Sequence, residues 1–193
     1  MRSVVGALFA GLMLSACASV PEPPTPVPDV TARAAFLASH PNWRIDGRVA
    51  YSHQGKGGSA RMIWVQKTDH AEILLSAPLS MATVAIRLSA DSAQIRDAED
   101  KLLAEGTPSD VFMRILSSPV PDSGFAAGLR AYWPDVPEST RSALAGLVTI
   151  DGWQWRYLEW QDFPARLPKK IELTRGETRL RILIDDWQEL PGE

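Results

Sequence analysis

A mainly β fold is what this sequence predicts: one antiparallel sheet curled into an open half-barrel, with a few inserted helices as a lid over its apolar face. Three observations carry that reading. Apolar residues alternate with polar ones at a period of two through most of the chain, which is the pattern of strands with one wet face. Gly- and Asp-rich turns separate these runs at short intervals. The pattern breaks only near the middle, at two short helical stretches bracketed by prolines.

The chain opens with a different grammar. A basic Arg2, an apolar run from Val4 to Leu14 and then Leu14-Ser15-Ala16-Cys17 form the n-region, h-region and small-residue cleavage site of a secretion signal. The apolar run is too short for a helix that must cross about 20 residues of hydrocarbon. Residues 1–16 are therefore expected to be removed. Leu14 to Cys17 resembles a bacterial lipobox, in which the thiol of Cys17 takes a diacylglyceryl group. Cys17 is the single cysteine of the chain, so no disulfide within the chain is possible. From Ala18 to Pro28 the composition turns to five prolines with little to pack, and 17–28 reads as a lipidated Cys on an extended tether. At ~3.1 Å per residue such a segment holds a body on the order of 30 Å from its anchor. Lipoproteins retained at the inner membrane typically carry Asp after the lipidated Cys. Ala18 and Ser19 stand here, and by that resemblance the expected address is the outer membrane.

Residues 29–193 are one domain's length. Asp29 to His40 suits a helix that Pro41 stops. Trp43 to Tyr51 places Trp43, Ile45, Val49 and Tyr51 on one face and Arg44, Asp46 and Arg48 on the other. A turn at Gln54 to Gly58 returns the chain into Ser59 to Lys67, where Ala60, Met62 and Trp64 alternate with Arg61, Ile63 and Val65. The glycines and Lys56 of that turn lack Walker spacing, and no helix pattern follows them. Ala71 to Ala77, Ala82 to Ser89, Ser92 to Asp97 and Lys101 to Glu105 continue the meander. Thr107-Pro108-Ser109-Asp110 supplies an N-cap, an N1 proline and an acidic N3 for a helix through Val111, Phe112, Ile115 and Leu116. Gly124 to Trp133 forms the second helical patch. Strands resume at Leu147 to Ile150, Trp153 to Trp160, Lys170 to Thr174 and Thr178 to Trp187, about ten in all. A sheet that long should curl, and its apolar face must be covered or leave a cavity.

Composition narrows the function. The formal charge of −3 grows more negative once Arg2 leaves, and no dense Lys/Arg cluster follows a phosphate backbone, so nucleic acid is excluded as a partner. No Gly-x-Ser-x-Gly elbow is present, and no His pair stands at metal spacing. His40, His53 and His70 fall at turns or element ends, and Glu99-Asp100 and Asp185-Asp186 read as solvated turns and strand ends. Catalysis, a cofactor and a metal are not expected.

Four stretches, in order along nearly the whole domain, resemble the LolB family: Leu74-Leu75-Ser76-Ala77-Pro78-Leu79, Pro119-Val120-Pro121 through Leu129 and Trp133, Trp155-Arg156-Tyr157, and Pro164-Ala165-Arg166-Leu167-Pro168 through Arg181 and Trp187. Ser80 stands where the family usually has Gly. The resemblance implies an outer-membrane lipoprotein that accepts other lipoproteins from the periplasmic carrier LolA and inserts them into the outer membrane, acting as a monomer. It also implies an acyl-chain cavity. From the alternation, the expected wall is Trp64, Leu74, Val84, Ile86, Trp155, Tyr157, Leu180, Ile182 and Ile184, with Phe112, Ile115, Leu129 and Trp133 from the lid. Read from the residues alone, Leu79 between Pro78 and Ser80 belongs in the core. The resemblance instead implies a protruding membrane-delivery loop of Pro78, Leu79 and Met81. The other class that shares the anchor and tether is a scaffold for envelope assembly that binds no acyl chain. A large apolar cavity favours the receptor, and a filled core with a flat exposed patch favours the scaffold.

Overall fold

The computed structural model describes residues 30–78, 82–116, 120–121, 124–133, 141–142, 146–162 and 165–192. In chain order the elements are α1 (Val30–Ser39), β1 (Trp43–His53), β2 (Lys56–Gln66), β3 (His70–Ser76), β4 (Thr83–Ser89), β5 (Ala93–Asp97), β6 (Leu102–Gly106), α2 (Pro108–Leu116), α3 (Phe125–Leu129), β7 (Arg141–Ser142), β8 (Leu147–Ile150), β9 (Trp153–Gln161), β10 (Leu167–Arg175) and β11 (Thr178–Glu189). The strands form one antiparallel sheet in the order β6-β5-β4-β3-β2-β1-β11-β10-β9-β8-β7. Apart from the β1–β11 closure, every neighbour in the sheet is also a neighbour in sequence, so simple hairpins build each half. The ten expected strands are present. The two-residue β7 is an addition, too short to leave a periodic signal.

Alternation decides which side of each strand is buried. Ile45, Trp64, Ile73, Ile86, Ile95 and Ala104 face one another in register across β1 to β6, and all are buried. In the other half, Tyr51, Leu180, Leu173, Trp155 and Val148 make the matching row across β1, β11, β10, β9 and β8. One turn is shorter than the sequence suggests. Only Gln54 and Gly55, with φ of 49° and 76°, form the β1–β2 loop, while Gly57 and Gly58 pair in the ladder with Ser52 and Tyr51. A Cβ at Gly57 would lie 2.3 Å from the Tyr51 carbonyl oxygen, so glycine is needed there for close strand approach.

The sheet bends where its register slips. Asp46 pairs with Asp186 but Gly47 pairs with Ile184, leaving Asp185 as the extra residue of a β-bulge, and bulges kink and twist a strand. The result shows in α3. The ring of Phe125 lies 5.4 Å from that of Trp64 on β2 and 5.5 Å from that of Trp155 on β9. In a flat sheet those strands, four positions apart, would be separated by about 19 Å. The sheet is therefore curled around the helix as an open half-barrel. The start of α2 follows its expected chemistry: the Asp110 amide donates to Thr107 Oγ1 at 3.3 Å, and the Thr107 hydroxyl donates to the Asp110 carboxylate at 2.7 Å, which caps the helix.

Candidate functional site

The concave face of the half-barrel is an aromatic surface that α3 covers. Trp187 and Trp43 are 5.2 Å apart, Trp43 stacks on Trp64 at 6.3 Å, Phe125 joins Trp64 to Trp155, and Trp133 meets Trp155 edge-on at 5.3 Å. One Phe from the lid thus ties the two halves of the wall together. Gly128 of α3 sits directly on Trp155, and a Cβ there would fall 2.3 Å from the indole. Only a residue without a side chain lets the helix lie this close.

Polar bonds at the C-terminal end of α3 complete its attachment. The Tyr157 hydroxyl donates to the Gly128 carbonyl at 2.9 Å and accepts from the Trp133 indole N–H at 3.3 Å. Burial pushes the phenol well above its ordinary range, so it stays a neutral donor. From α1, Arg33 donates to the Arg130 carbonyl, to the Ala131 carbonyl at 3.2 Å and to the Arg166 carbonyl at 2.8 Å. Arg130 returns a bond to the Leu37 carbonyl at 2.7 Å. Burial, with Arg33 nearby as a secondary cause, lowers the Arg130 guanidinium to about 10, still charged at neutral pH. The cations sit against the carbonyl end of α3, where the helix dipole favours positive charge. α1 and α3 therefore hold each other through backbone carbonyls.

Most of the expected wall is found on this concave side. Trp64, Ile86, Leu129, Trp133, Trp155, Tyr157, Leu180, Ile182 and Ile184 are buried there, and Val84 and Phe112 are partly buried against them. Leu74 is a correction. It is 39 % exposed on the outer face, opposite Ile63 and Ala85, because the register of β3 turns Ala71, Ile73 and Leu75 inward instead. The apolar run Ile73-Leu74-Leu75 carries no phase of its own, and only pairing with β2 sets it. The side chain of Ile115 lies outside the described residues, as do Cys17, Leu79 and Met81; Pro78 is exposed at the end of β3. The alternation also marks Trp43 and Trp187, which belong to the same aromatic row. Phe125 and the Arg33–Arg130 exchange leave no sequence signal, since both act through three-dimensional contacts.

Among the described residues, Phe125 and Trp133 pack directly onto this face. The apolar pocket between α1 and the ends of β1 and β11, lined by Phe36, Leu37, Trp43 and Trp187 among others, holds about 20 Å³. That is room for about one water. A larger groove of about 480 Å³, at His40, Asn42 and residues 189–192, lies open at the end of the sheet and away from the aromatic row. The exposed large apolar side chains among the described residues, Leu74, Leu102, Leu103, Met113 and Leu158, are spread over β3, β6, α2 and β9.

The sequence model of the family described as "Outer membrane lipoprotein LolB" matches residues 41–187. This chain belongs to the LolB family. Relatives with that name include one from Azoarcus sp. (strain BH72), 30% identical over 94% of this chain and 93% of its own length. Another, from Xylella fastidiosa (strain 9a5c), is 34% identical over 82% of this chain and 76% of its own. Among solved structures, a LolA-superfamily protein from Nitrosomonas europaea superposes with a TM-score of 0.52 at 9% identity, covering 83% of this chain and 94% of that one, which is a likeness of fold. Membership makes this LolB-family chain an outer-membrane lipoprotein with a part in lipoprotein localisation, and its family is not one of enzymes.

Proposed function

We propose that the chain accepts lipoproteins from the periplasmic carrier LolA, holds their acyl chains against the concave face and inserts them into the outer membrane. Supporting the reading is one observation above all: the stretch of the aromatic wall at Trp64 and Trp155 is covered by a helix of only five residues held by a few polar bonds, while Trp43 and Trp187 continue the wall beside α1. Acyl chains would take the place of α3 on that wall. Because Phe125 occupies the wall between Trp64 and Trp155 while α3 is down, loading there requires the lid to lift, and the displaced Phe125 contacts are replaced by contacts to the cargo.

Energetics shape the route. A buried acyl chain gains ~0.8 kcal/mol per CH₂, so three chains released into water would cost tens of kcal/mol. Free diffusion of cargo is excluded. Exchange between two shielded apolar surfaces is nearly balanced, and a modest affinity difference sets its direction without ATP. The carrier and this chain therefore dock mouth to mouth. The packing of α3 onto Trp64 and Trp155 also supports a second reading, an envelope scaffold that binds no acyl chain; transfer of an acylated lipoprotein from the carrier to this protein in solution separates the two.

Delivery is assigned to the loop of Pro78, Leu79 and Met81. One exposed Leu entering lipid gains ~1.5–3 kcal/mol, enough for a reversible touch. Leu79→Glu is then expected to leave acceptance from the carrier and thermal stability almost unchanged while insertion into liposomes fails. Loss of both steps together with a large fall in Tm would show Leu79 to be a core residue. The domain plan follows the same reading: 1–16 is removed, Cys17 carries the lipid, 17–28 is the tether and 29–193 the acyl-binding body. Cys17→Ala is expected to abolish lipidation yet give an unchanged circular dichroism spectrum, since the thiol serves the anchor and not the core.

A further inference from the structure

The outer face of the half-barrel is divided by charge. Over β3 to β6 the outward charges carry no cationic surplus: Arg87 stands opposite Glu72 in the ladder, Arg96 lies 3.6 Å from Asp100, and the neutral amide of Gln94 bonds Glu105. Over β9-β10-β11-β1-β2 they are not. Arg156, Arg179 and Arg181 surround the single carboxylate of Glu172, at 3.8, 3.7 and 2.9 Å. Arg48 reaches Asp185 at 3.0 Å, and Arg48 stands directly opposite Arg61 in the β1–β2 ladder. Five guanidinia thus face two carboxylates across a strip about 19 Å wide. At the rim, Arg44 pairs with Asp46, which also lies near Arg61, Lys170 pairs with Glu159, and Asp186 stands opposite Asp46, so the cations still outnumber the carboxylates on the face but by one fewer.

Two features separate this strip from ordinary surface scatter. A like-charged pair directly across a ladder is unfavourable, and this strip keeps two of them, Arg48–Arg61 and, toward the rim, Asp46–Asp186. Glu172 is 7 % exposed beneath its three arginines, each at least half exposed. One carboxylate cannot occupy fifteen N–H donors, so the outward edges of the three planar forks remain for oxyanions. Between them stand Ala50, Ser52 and Ser59, in register with Arg181, Arg179 and Ala50 respectively. The one large apolar side chain exposed on these strands among the described residues is Leu158, on β9, and guanidinia dominate the rest of the face.

We propose that this outward face docks on the anionic phospholipid headgroups of the outer membrane, its guanidinia bound to phosphodiester oxygens and its concave face turned away from the bilayer. The inference rests on the outer-membrane location and not on the acyl-chain reading. Guanidinium forks match phosphate bidentately, and a basic cluster on a membrane-anchored protein is drawn to an anionic surface within a Debye length. Docked this way, the protein presents its lid to the periplasm in a receiving state; delivery by the loop of Pro78, Leu79 and Met81 requires this face to leave the bilayer.

Arginine-specific labelling with phenylglyoxal, read by mass spectrometry on the full lipidated chain in vesicles, tests this. In vesicles containing phosphatidylglycerol, Arg48, Arg156, Arg179 and Arg181 are expected to be protected relative to vesicles of phosphatidylcholine alone, while Arg87 and Arg96 react equally in both. The protection should vanish at about 1 M salt, where the Debye length is about 3 Å. Arg48→Gln with Arg61→Gln, neither of which holds Glu172, should reduce docking at the remaining three about fivefold per removed charge. Equal labelling in both vesicle types overturns the proposal. So does protection that appears only when the carrier protein is added, which would assign the face to the carrier. Neither outcome bears on whether cargo is accepted, so failure here leaves the receptor reading to its own test.

Discussion

Ile182→Glu is expected to lower stability by several kcal/mol, whereas Leu74→Glu, the same kind of change on the opposite face of the sheet, should shift it by no more than about 0.5 kcal/mol. Ile182 is fully buried at the centre of β11, flanked in register by Val49 on β1 and Ile171 on β10. A carboxylate there has no cation facing it on the concave side of those strands, whose inward neighbours are Leu180 and Ile184. Leu74 faces out. Domains of this size are stable by about 5–15 kcal/mol, so the first variant loses a large share of its margin. Thermal melts of the two variants decide the face assignment. In the fraction that remains folded, Ile182→Glu is also expected to lose lipoprotein acceptance. Retained transfer would place Ile182 away from the acyl chains, and equal destabilisation by both variants would overturn the inward–outward phase of the sheet.

That contrast shows what was legible in the sequence and what was not. In β1, β2, β9 and β11 a strict period of two made the buried face readable residue by residue: Trp43, Ile45, Met62, Trp64, Trp155, Tyr157, Leu180 and Ile182 are all buried, and Arg48, Arg61, Arg156 and Arg181 are all outward. β3 failed at Leu74 because three consecutive apolar residues satisfy either phase, and pairing across strands, which is long-range, chose between them. The lid was legible as helix, through Thr107, Pro108 and Gly124, but not as an object seated on Trp155. Close contact at Gly128 depends on the curl of the whole sheet, and curl arises from a bulge at Asp185 that no local pattern announces. The state of the concave face was likewise beyond the sequence. Alternation identifies an apolar wall; whether that wall is open or covered by Phe125 and Trp133 is a matter of how α3 docks. Family membership, by contrast, rested on motif residues distributed along the chain, and the match over 41–187 bears it out.

Gly128→Val tests whether α3 is a lid or simply core. The new side chain cannot fit between the helix backbone and Trp155, because even the first carbon would fall 2.3 Å from ring atoms of an indole that is 1 % exposed. Trp155 has nowhere to go, pinned edge-on by Phe125 and Trp133. The helix must therefore lift, stretching the Tyr157 bond to the Gly128 carbonyl. Overpacking of this kind costs about 1–3 kcal/mol. If α3 is the element that acyl chains displace, that cost falls on the closed state alone. The sheet should then still melt cooperatively while the protein binds an alkyl fluorophore more tightly than the parent, because part of the work of opening has been done in advance. Arg33→Gln loosens the same helix from the α1 side without touching the wall, and should move alkyl binding in the same direction by a smaller amount. Should Gly128→Val instead lose stability with no gain in alkyl binding, α3 is a fixed part of the core, and acyl chains must enter by some route that leaves Phe125 in place.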